Sequence, residues 1–370
     1  MKISFVLFYI AFTNLIFCQD KSFFLEGTIG KSKVYLTIDE NENNVFATYF
    51  YQNSLKDIML EGTKNKNNYV FYFGERTEES ISEEFKLVKN KNNFTGIWTN
   101  KKGKKLKVSL APINFNAYKK PENTIAVENK MDLVKLNFLK FQQDSISTYK
   151  NKKLIWFSEK HCSSIFFRLS DDFSEKNRQV INPILRNLHI EQTLSQLNCS
   201  SSFYYNNGND IENTITISFL NSNLLGFNVF SSWYCGGAHP DFGGNGYLID
   251  LNNGKQYDID EIIAFDESAT TEEKSGFEAY SKYRNEFFAP KLFELINKTE
   301  NFKKPENDNE GCDYTDIDVW DFVSWNYTEK GIEFTPYFAR VYRSCEEPFL
   351  VSFKDLEKYK NKDFPYPFNQ

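Results

Sequence analysis

Short apolar runs separated by turn residues fill residues 22–110, and this spacing constrains the fold more than any other feature of the sequence. The runs are rich in Val, Ile, Phe and Tyr, and Asn, Lys and Gly lie between them. They occupy residues 34–38, 45–51, 69–73, 85–88 and 106–110. Such runs are typical of half-buried strands, and Asn-rich joints favour tight turns. We predict a meander of about eight antiparallel strands, curled or closed into a barrel so that its edges are protected.

A four-residue motif recurs inside this region. Leu-Glu-Gly-Thr occurs at residues 25–28 and again at residues 60–63, and a Thr-Gly pair stands at residues 95–96. Each copy precedes a strand-like run. The recurrence favours repeated strand units, although a motif this short also arises by chance.

The rest of the chain mixes strands with helices. Residues 111–130 are rich in Pro, Asn and Lys and are predicted to be a linker. In residues 131–370 the predicted strands include 133–141, 154–157, 164–169, 215–220 and 224–234. Two long helices are predicted at residues 174–197, capped by Ser174, and at residues 272–296. Grouped strands with inserted helices indicate an α+β domain with a mainly antiparallel sheet.

The first residues predict export. Met1 and Lys2 precede an apolar stretch that ends at Cys18, which is typical of a secretory signal peptide spanning residues 1–18. The stretch is interrupted and shorter than the roughly 20 apolar residues of a membrane span, so none is predicted in the mature chain. We expect a periplasmic or secreted protein. Lipidation of Cys18 in the outer membrane is the alternative, and the bulky Phe17 before it disfavours that modification.

Five cysteines follow the predicted signal peptide: Cys162, Cys199, Cys235, Cys312 and Cys345. Export permits disulfides, so an odd number predicts two bonds and one free thiol. The preferred bond joins Cys162 to Cys199, and the second is expected among Cys235, Cys312 and Cys345.

The two halves of the chain differ in net charge. The whole chain carries 44 − 50 = −6, whereas residues 131–370 carry 25 basic and 36 acidic residues, a net −11. This balance predicts no nucleic-acid partner. The acidic residues of the second half are expected to keep the protein soluble or, alternatively, to attract a cationic partner.

No familiar catalytic motif is present. The sequence lacks a Walker phosphate loop, a dinucleotide Gly fingerprint, His-Glu-x-x-His and Gly-x-Ser-x-Gly. Residues 235–240 have the sequence Cys-Gly-Gly-Ala-His-Pro, and their two glycines predict a sharp turn. The alternative hypothesis is that His239 acts as a general base. Residues 312–321 carry four carboxylates whose spacing does not fit an EF-hand, so a solvated loop is expected. We therefore predict no enzyme activity, no cofactor and no metal.

The turn and the hairpin after it resemble a known family. Residues 232–240, residues 247–251 and the Gly-Lys pair at 254–255 resemble the signature of the RsiV-like domain family. That family has members in a lysozyme-binding anti-sigma factor and, as a non-catalytic module, in a peptidoglycan deacetylase. The resemblance covers about residues 130–355 and implies an envelope-facing recognition module. The preceding strands resemble β domains of secreted Bacteroidetes-type proteins.

We therefore expect an exported, non-enzymatic recognition protein of the bacterial cell envelope. Its ligand is expected to be an envelope or secreted protein, for example a basic lysozyme, or a cell-wall glycan. The alternatives are an envelope hydrolase or transferase that uses His239, and a surface or adhesion component anchored through Cys18. The candidate ligand-binding residues lie in the turn and in the acidic loop: Trp233, Tyr234, His239 and Asp241, and Asp313, Asp316, Asp318 and Asp321.

Overall fold

The computed structural model describes residues 21–41, 44–74, 81–121, 124, 127, 129–200, 210–305 and 311–368. The predicted signal peptide, including Cys18 and its lipidation, lies outside the described residues. The chain divides into two compact units, one that ends at Ala117 and one that begins at Tyr118. No helix in the described part of the chain is both long and apolar enough to cross a membrane.

A closed barrel of eight antiparallel strands forms the first unit, so the predicted barrel is confirmed. Each strand pairs with the next, and β1 also pairs with β8. The strands are β1 Lys21–Ile29, β2 Ser32–Glu40, β3 Val45–Tyr51, β4 Ile58–Asn65, β5 Asn68–Phe73, β6 Glu83–Asn90, β7 Asn93–Asn100 and β8 Lys105–Pro112. A 3₁₀ turn at Phe115–Ala117 follows them. Buried aliphatic and aromatic side chains form the barrel core.

The recurring glycines allow the strands to approach closely. A Cβ atom on Gly27 would lie 1.9 Å from the carbonyl oxygen of Ser109, and one on Gly96 would lie 1.9 Å from that of Lys86. On Gly62 it would lie 2.3 Å from the Phe71 ring. Glycine in a strand interior often marks such a close approach. The Leu-Glu-Gly-Thr recurrence therefore has a steric reason at both of its copies.

Replacing Gly96 by Ala tests this reading. We expect the Gly96→Ala variant to lose about 1–3 kcal/mol of unfolding free energy, because its methyl group would collide with backbone that cannot rotate away. Urea unfolding measures the loss. The exposed neighbour Thr95 provides the control, since Thr95→Ala should change stability by less than about 1 kcal/mol. Equal stability of the two variants would refute the close-approach explanation.

Three antiparallel sheets of three strands each build the second unit, and with the helices they make it α+β, as predicted. The first contains β9 Phe141–Tyr149, β10 Lys152–Glu159 and β11 Ile165–Leu169. The second contains β12 Asp210–Leu220, β13 Leu224–Tyr234 and β14 Asp241–Asp250. The third contains β15 Ser324–Tyr327, β16 Gly331–Thr335 and β17 Phe349–Ser352.

Helices cover and connect these sheets. They are α1 Lys130–Leu136, α2 Glu175–Asn198, α3 Ile259–Ile262, α4 Glu272–Ser275, α5 Phe277–Tyr283, α6 Ala289–Glu300 and α7 Phe353–Leu356. Between α5 and α6 the chain forms a π-helical segment, Arg284–Phe288. Shorter 3₁₀ turns lie at Ile317–Trp320, Arg340–Cys345 and Glu357–Tyr359.

Helix α2 matches the first predicted long helix, and Ser174 caps it by accepting a hydrogen bond from the backbone of Asn177 at 3.1 Å. The second prediction needs correction. Gly276 has a φ of 78° and separates the single turn α4 from α5, and the helical chain then continues through the π segment to Glu300. Glycine adopts this backbone region without steric cost, so it ends α4.

The predicted strand at residues 133–141 is wrong. Its first residues belong to α1, and a strand begins only at Phe141. Asn129 caps α1 through a 2.8 Å bond from the Met131 backbone, and the Asn137 side chain bonds the Leu133 carbonyl at its end. A short apolar run fits a helix turn as well as a strand, so the capping residues decide between them.

The five cysteines that the structure describes form two disulfides and leave one free thiol, as their odd number predicts, but the preferred pairing is wrong. Cys199 bonds Cys235, Cys312 bonds Cys345, and Cys162 is free. Cys162 lies in the turn between β10 and β11, where its thiol contacts Glu159. Cys199 instead caps the end of α2 beside the end of β13. Burial raises the pKa of the Cys162 thiol to about 11.

The disulfide pairing predicts how much unfolding free energy is lost when each cysteine is replaced. Replacing both Cys312 and Cys345 by Ala should remove about 2–4 kcal/mol of unfolding free energy, because the bond restricts the unfolded chain. Cys162→Ser should cost about 1 kcal/mol or less. Urea unfolding compares the variants. Non-reducing peptide mapping that found Cys162 in a disulfide would contradict the assignment.

Candidate functional site

The predicted turn connects β13 to β14, where Trp233 pairs with Asp241 in register. Gly236 and Gly237 have φ values of 96° and 97°, a backbone region that glycine adopts readily. The Tyr234 hydroxyl donates to the Gly237 carbonyl at 2.9 Å. The turn is thereby closed, and the disulfide of Cys235 ties it to the end of α2.

His239 lies exposed at the tip of this turn. No hydrogen bond or ion pair links its imidazole to another side chain of the described residues. A catalytic imidazole is usually oriented by a partner such as a carboxylate. The described geometry therefore offers His239 no such partner.

Two arginines contact the residues at which the turn ends and β14 begins. Arg343 lies 3.0 Å and Arg340 lies 3.7 Å from the Asp241 carboxylate. The guanidinium of Arg340 also donates to the Pro240 carbonyl, and that of Arg343 donates to the Phe242 carbonyl. Both arginines belong to the 3₁₀ turn Arg340–Cys345, so this turn fixes the position of Asp241.

The acidic loop attaches to the same 3₁₀ turn. The disulfide between Cys312 and Cys345 joins them, and the Tyr314 hydroxyl donates to the Cys345 carbonyl at 2.8 Å. The two segments that the sequence singled out are therefore linked through residues 340–345. The disulfide between Cys312 and Cys345 is one of the alternatives that the sequence left open, whereas the contacts of Arg340 and Arg343 with the turn were not predicted, because these residues are distant in the chain.

Two of the loop carboxylates serve the local backbone. Asp313 accepts from the backbone and hydroxyl of Thr315, and Asp316 caps the turn Ile317–Trp320 by accepting from the Asp318 backbone at 3.1 Å. Asp313 and Asp316 also line a cavity of about 260 Å³ together with Lys304. Asp316 is exposed, as expected for a solvated loop, and Asp313 is half-buried.

Asp321 departs from that expectation because it is only 8 % exposed. When the side-chain amide of Asn285 is oriented with its nitrogen toward Asp321, this nitrogen donates a hydrogen bond to the Asp321 carboxylate at 2.6 Å. Asn285 belongs to the π segment that begins at Arg284. Asp321 is therefore part of a buried polar network rather than of the surface loop.

Arg284 is at the centre of this network. It is 3 % exposed and forms an ion pair of 3.2 Å with Asp260, which is equally buried. Its Nε and Nη2 atoms donate to the Tyr280 hydroxyl at 3.2 and 3.1 Å, and its guanidinium lies 3.9 Å from the centre of the Phe288 ring. Among the residues that the structure describes, one oxygen of Asp260 and Nη1 of Arg284 find no hydrogen-bond partner. π segments occur often at functional sites.

A cavity of about 390 Å³ opens beside this ion pair. Four carboxylates line it, from Asp258, Asp260, Glu272 and Glu273, and Arg284 is the one cation among the described lining residues. Aromatic rings complete the wall: Tyr247, Tyr257, Tyr280 and Trp325. Sequence reasoning missed this site. The site could have been found from the many acidic residues between residues 258 and 286, where nine carboxylates stand against three basic residues.

Burial changes the acidity of the network. It raises the pKa of Asp260 to about 7 against the opposing attraction of Arg284. Burial, and then the neighbouring Asp318, raise the pKa of Asp321 to about 6 from its ordinary 3.8. A carboxyl whose folded pKa is raised stabilises the fold fully only below its unfolded pKa, and this contribution is lost as the pH rises through the folded value.

The variant Asp321→Asn tests the raised pKa. Its amide oxygen can still accept from Asn285, but it carries no charge at any pH. We expect this variant to gain stability relative to the native chain as the pH rises from about 4 to about 7. Urea unfolding across this range measures the difference. A constant difference between the two proteins would contradict a raised pKa at Asp321.

A groove of about 310 Å³ lies next to the β13–β14 hairpin. Its wall contains Phe230, Phe242 and Trp325, with Asn228 and Glu333 as polar neighbours. Phe230 is 45 % exposed. The described residues contain no group of three or more His, Cys, Asp or Glu side chains placed to hold a metal ion.

No protein-family model and no curated protein matches this chain. Among solved structures, the chain is similar to the crystal structure of a DUF3298 family protein from Pseudomonas aeruginosa PAO1, with 13% sequence identity and a TM-score of 0.31. The match covers 61% of this chain and 94% of that chain. A likeness this weak carries no conclusion, and the RsiV-like assignment stays a prediction.

Proposed function

We propose that this chain is an exported, non-enzymatic recognition protein of the bacterial cell envelope, and that its second unit binds a basic protein at the cavity beside Arg284. The observation that carries the proposal is the lining of that cavity, where four carboxylates stand against a single guanidinium. Such a surface attracts ammonium and guanidinium groups and repels anions.

The aromatic rings of the cavity support a cationic ligand as well. A lysine or arginine side chain gains energy over the face of Tyr or Trp, and its aliphatic stem packs on the same rings. Tyr280 and Trp325 lie among the same lining residues as Glu272 and Glu273. Carboxylates and rings together therefore suit the side chain of a basic protein better than they suit a small metal ion.

The net charge of the second unit supports long-range electrostatic attraction of a basic protein. A net −11 over residues 131–370 steers basic proteins toward it and raises their association rate at low salt. Two disulfides fit an exported protein. The resemblance to the RsiV-like family favours a lysozyme-like partner, which is basic and attacks the envelope.

Binding to a c-type lysozyme tests the proposal. We expect the oxidised full chain to bind it and to lose affinity as salt increases, because the attraction is electrostatic. The double variant Glu272→Gln/Glu273→Gln should bind about three- to tenfold more weakly. Asp144→Asn/Glu175→Gln changes the net charge equally at residues outside the cavity lining, and it should bind nearly as well as the native chain. Calorimetry measures all three.

Three results would overturn the proposal in different ways. Equal weakening in both double variants would show that net charge, rather than the cavity, attracts the partner. Absence of binding at low salt would exclude lysozyme. A glycan is the second candidate, since the groove with Phe230, Phe242 and Trp325 offers rings for sugar stacking. Binding of soluble peptidoglycan fragments in place of lysozyme would favour that groove.

A further inference from the structure

A cavity of the opposite charge lies on the first sheet of the same unit. Its volume is about 490 Å³, and its described lining residues comprise three apolar side chains and three cationic ones: Leu139, Phe141 and Phe157, and Lys140, Arg168 and Arg186. No carboxylate is among them. In a unit with a net charge of −11, random surface composition does not favour such a cluster.

Arg168 gives this cavity its chemistry. It projects from β11, where one guanidinium nitrogen donates to the Phe167 carbonyl at 2.7 Å. A second nitrogen lies 3.5 Å from Nδ1 of His189, and the guanidinium lies 5.8 Å from the centre of the Phe157 ring. It forms no ion pair with any carboxylate of the described residues. Burial, and then the charge of Arg186, lower the pKa of Arg168 below its usual range.

The described groups around Arg168 supply no counter-charge. His189 is fully buried, and burial, followed by the charge of Arg168, lowers its pKa to about 3, so its ring is neutral. Glu159 lies near the backbone of Lys140, but its carboxylate already accepts from that backbone at 2.8 Å and lies 2.9 Å from the His161 ring. Arg168 is half-buried. A guanidinium that is partly removed from water without a counter-ion costs free energy, and an anion from outside offsets that cost.

We propose that this cavity binds an oxyanion, a carboxylate or phosphate, carried on an apolar or planar body. The guanidinium fork of Arg168 matches both anions, and Arg186 and Lys140 add attraction at the mouth. Phe141 and Phe157 receive the attached body. The Phe141 ring is held in place by the His189 ring, whose centre lies 4.5 Å away.

This inference does not rest on the proposed function. None of the residues that line this cavity lines the one beside Arg284, and the two cavities favour ligands of opposite charge. One of the two can therefore fail without the other.

Small aromatic anions test the inference on the oxidised full chain. By calorimetry we expect phenyl phosphate or benzoate to bind, inorganic phosphate to bind more weakly, and uncharged benzyl alcohol not to bind. Comparison of phenyl phosphate with benzoate identifies which oxyanion the site prefers. Arg168→Gln should lower the affinity of the better ligand about tenfold or more, since a charge-assisted hydrogen bond is lost.

Because Arg168 is half-buried and bonds the Phe167 carbonyl, its replacement can disturb folding, so a second variant decides in that case. Arg186 is exposed on α2, and Arg186→Gln should weaken binding severalfold. Lys176→Gln removes an exposed charge from the same helix outside the cavity and should leave binding unchanged. Equal affinity of these two variants, or equal binding of benzyl alcohol and phenyl phosphate, would overturn the proposal.

Discussion

The Arg284 guanidinium is buried, and the centre of the second unit depends on how its charge is neutralised. Burying a charge costs several kcal/mol unless a partner and hydrogen bonds satisfy it. Asp260 from α3 provides the carboxylate, and Tyr280 from α5 provides the hydroxyl. The π segment begins at Arg284 and brings Asn285 to Asp321, which adds the loop before β15. Arg284 thus joins α3 to α5, and Asn285 beside it joins the loop before β15 to them. Arg284, Asp260 and Tyr280 all line the cavity beside the ion pair.

Local patterns predicted the strands of the barrel because each strand has its own apolar run and its own turns, whereas the closure of β1 on β8 joins residues that are distant in the chain. Alternating runs define the strands, and Gly27, Gly62 and Gly96 stand where neighbouring groups leave no room for a side chain. Where two local signals compete, the sequence was less informative. The apolar run after Asn129 fits a helix or a strand, and Gly276 interrupts a helical pattern whose apolar positions continue on both sides.

The site was predictable only in part, since its main contacts join residues far apart in the chain. The Cys-Gly-Gly-Ala-His-Pro turn could be identified from its glycines. The pairing of Cys199 with Cys235 depends on where α2 ends relative to β13, which spacing does not reveal. Asp321 and Asp318 look alike in the sequence, yet only Asp321 is buried against Asn285. A single arginine such as Arg284 likewise looks like any surface arginine until the fold encloses it.

The surroundings of Arg284 and Arg168 are the reason why we propose ligands of opposite charge at these two arginines. Arg284 is already paired with Asp260, so the remaining carboxylates around it leave an acidic cavity. Arg168 meets a neutral His189 and a second cation, Arg186, so the charge around it stays positive. The net −11 of the unit opposes the approach of anions at long range. An anion at Arg168 must therefore be selected by short-range contacts, which the guanidinium fork and the two phenyl rings supply. A basic partner at the acidic cavity is favoured at long range as well.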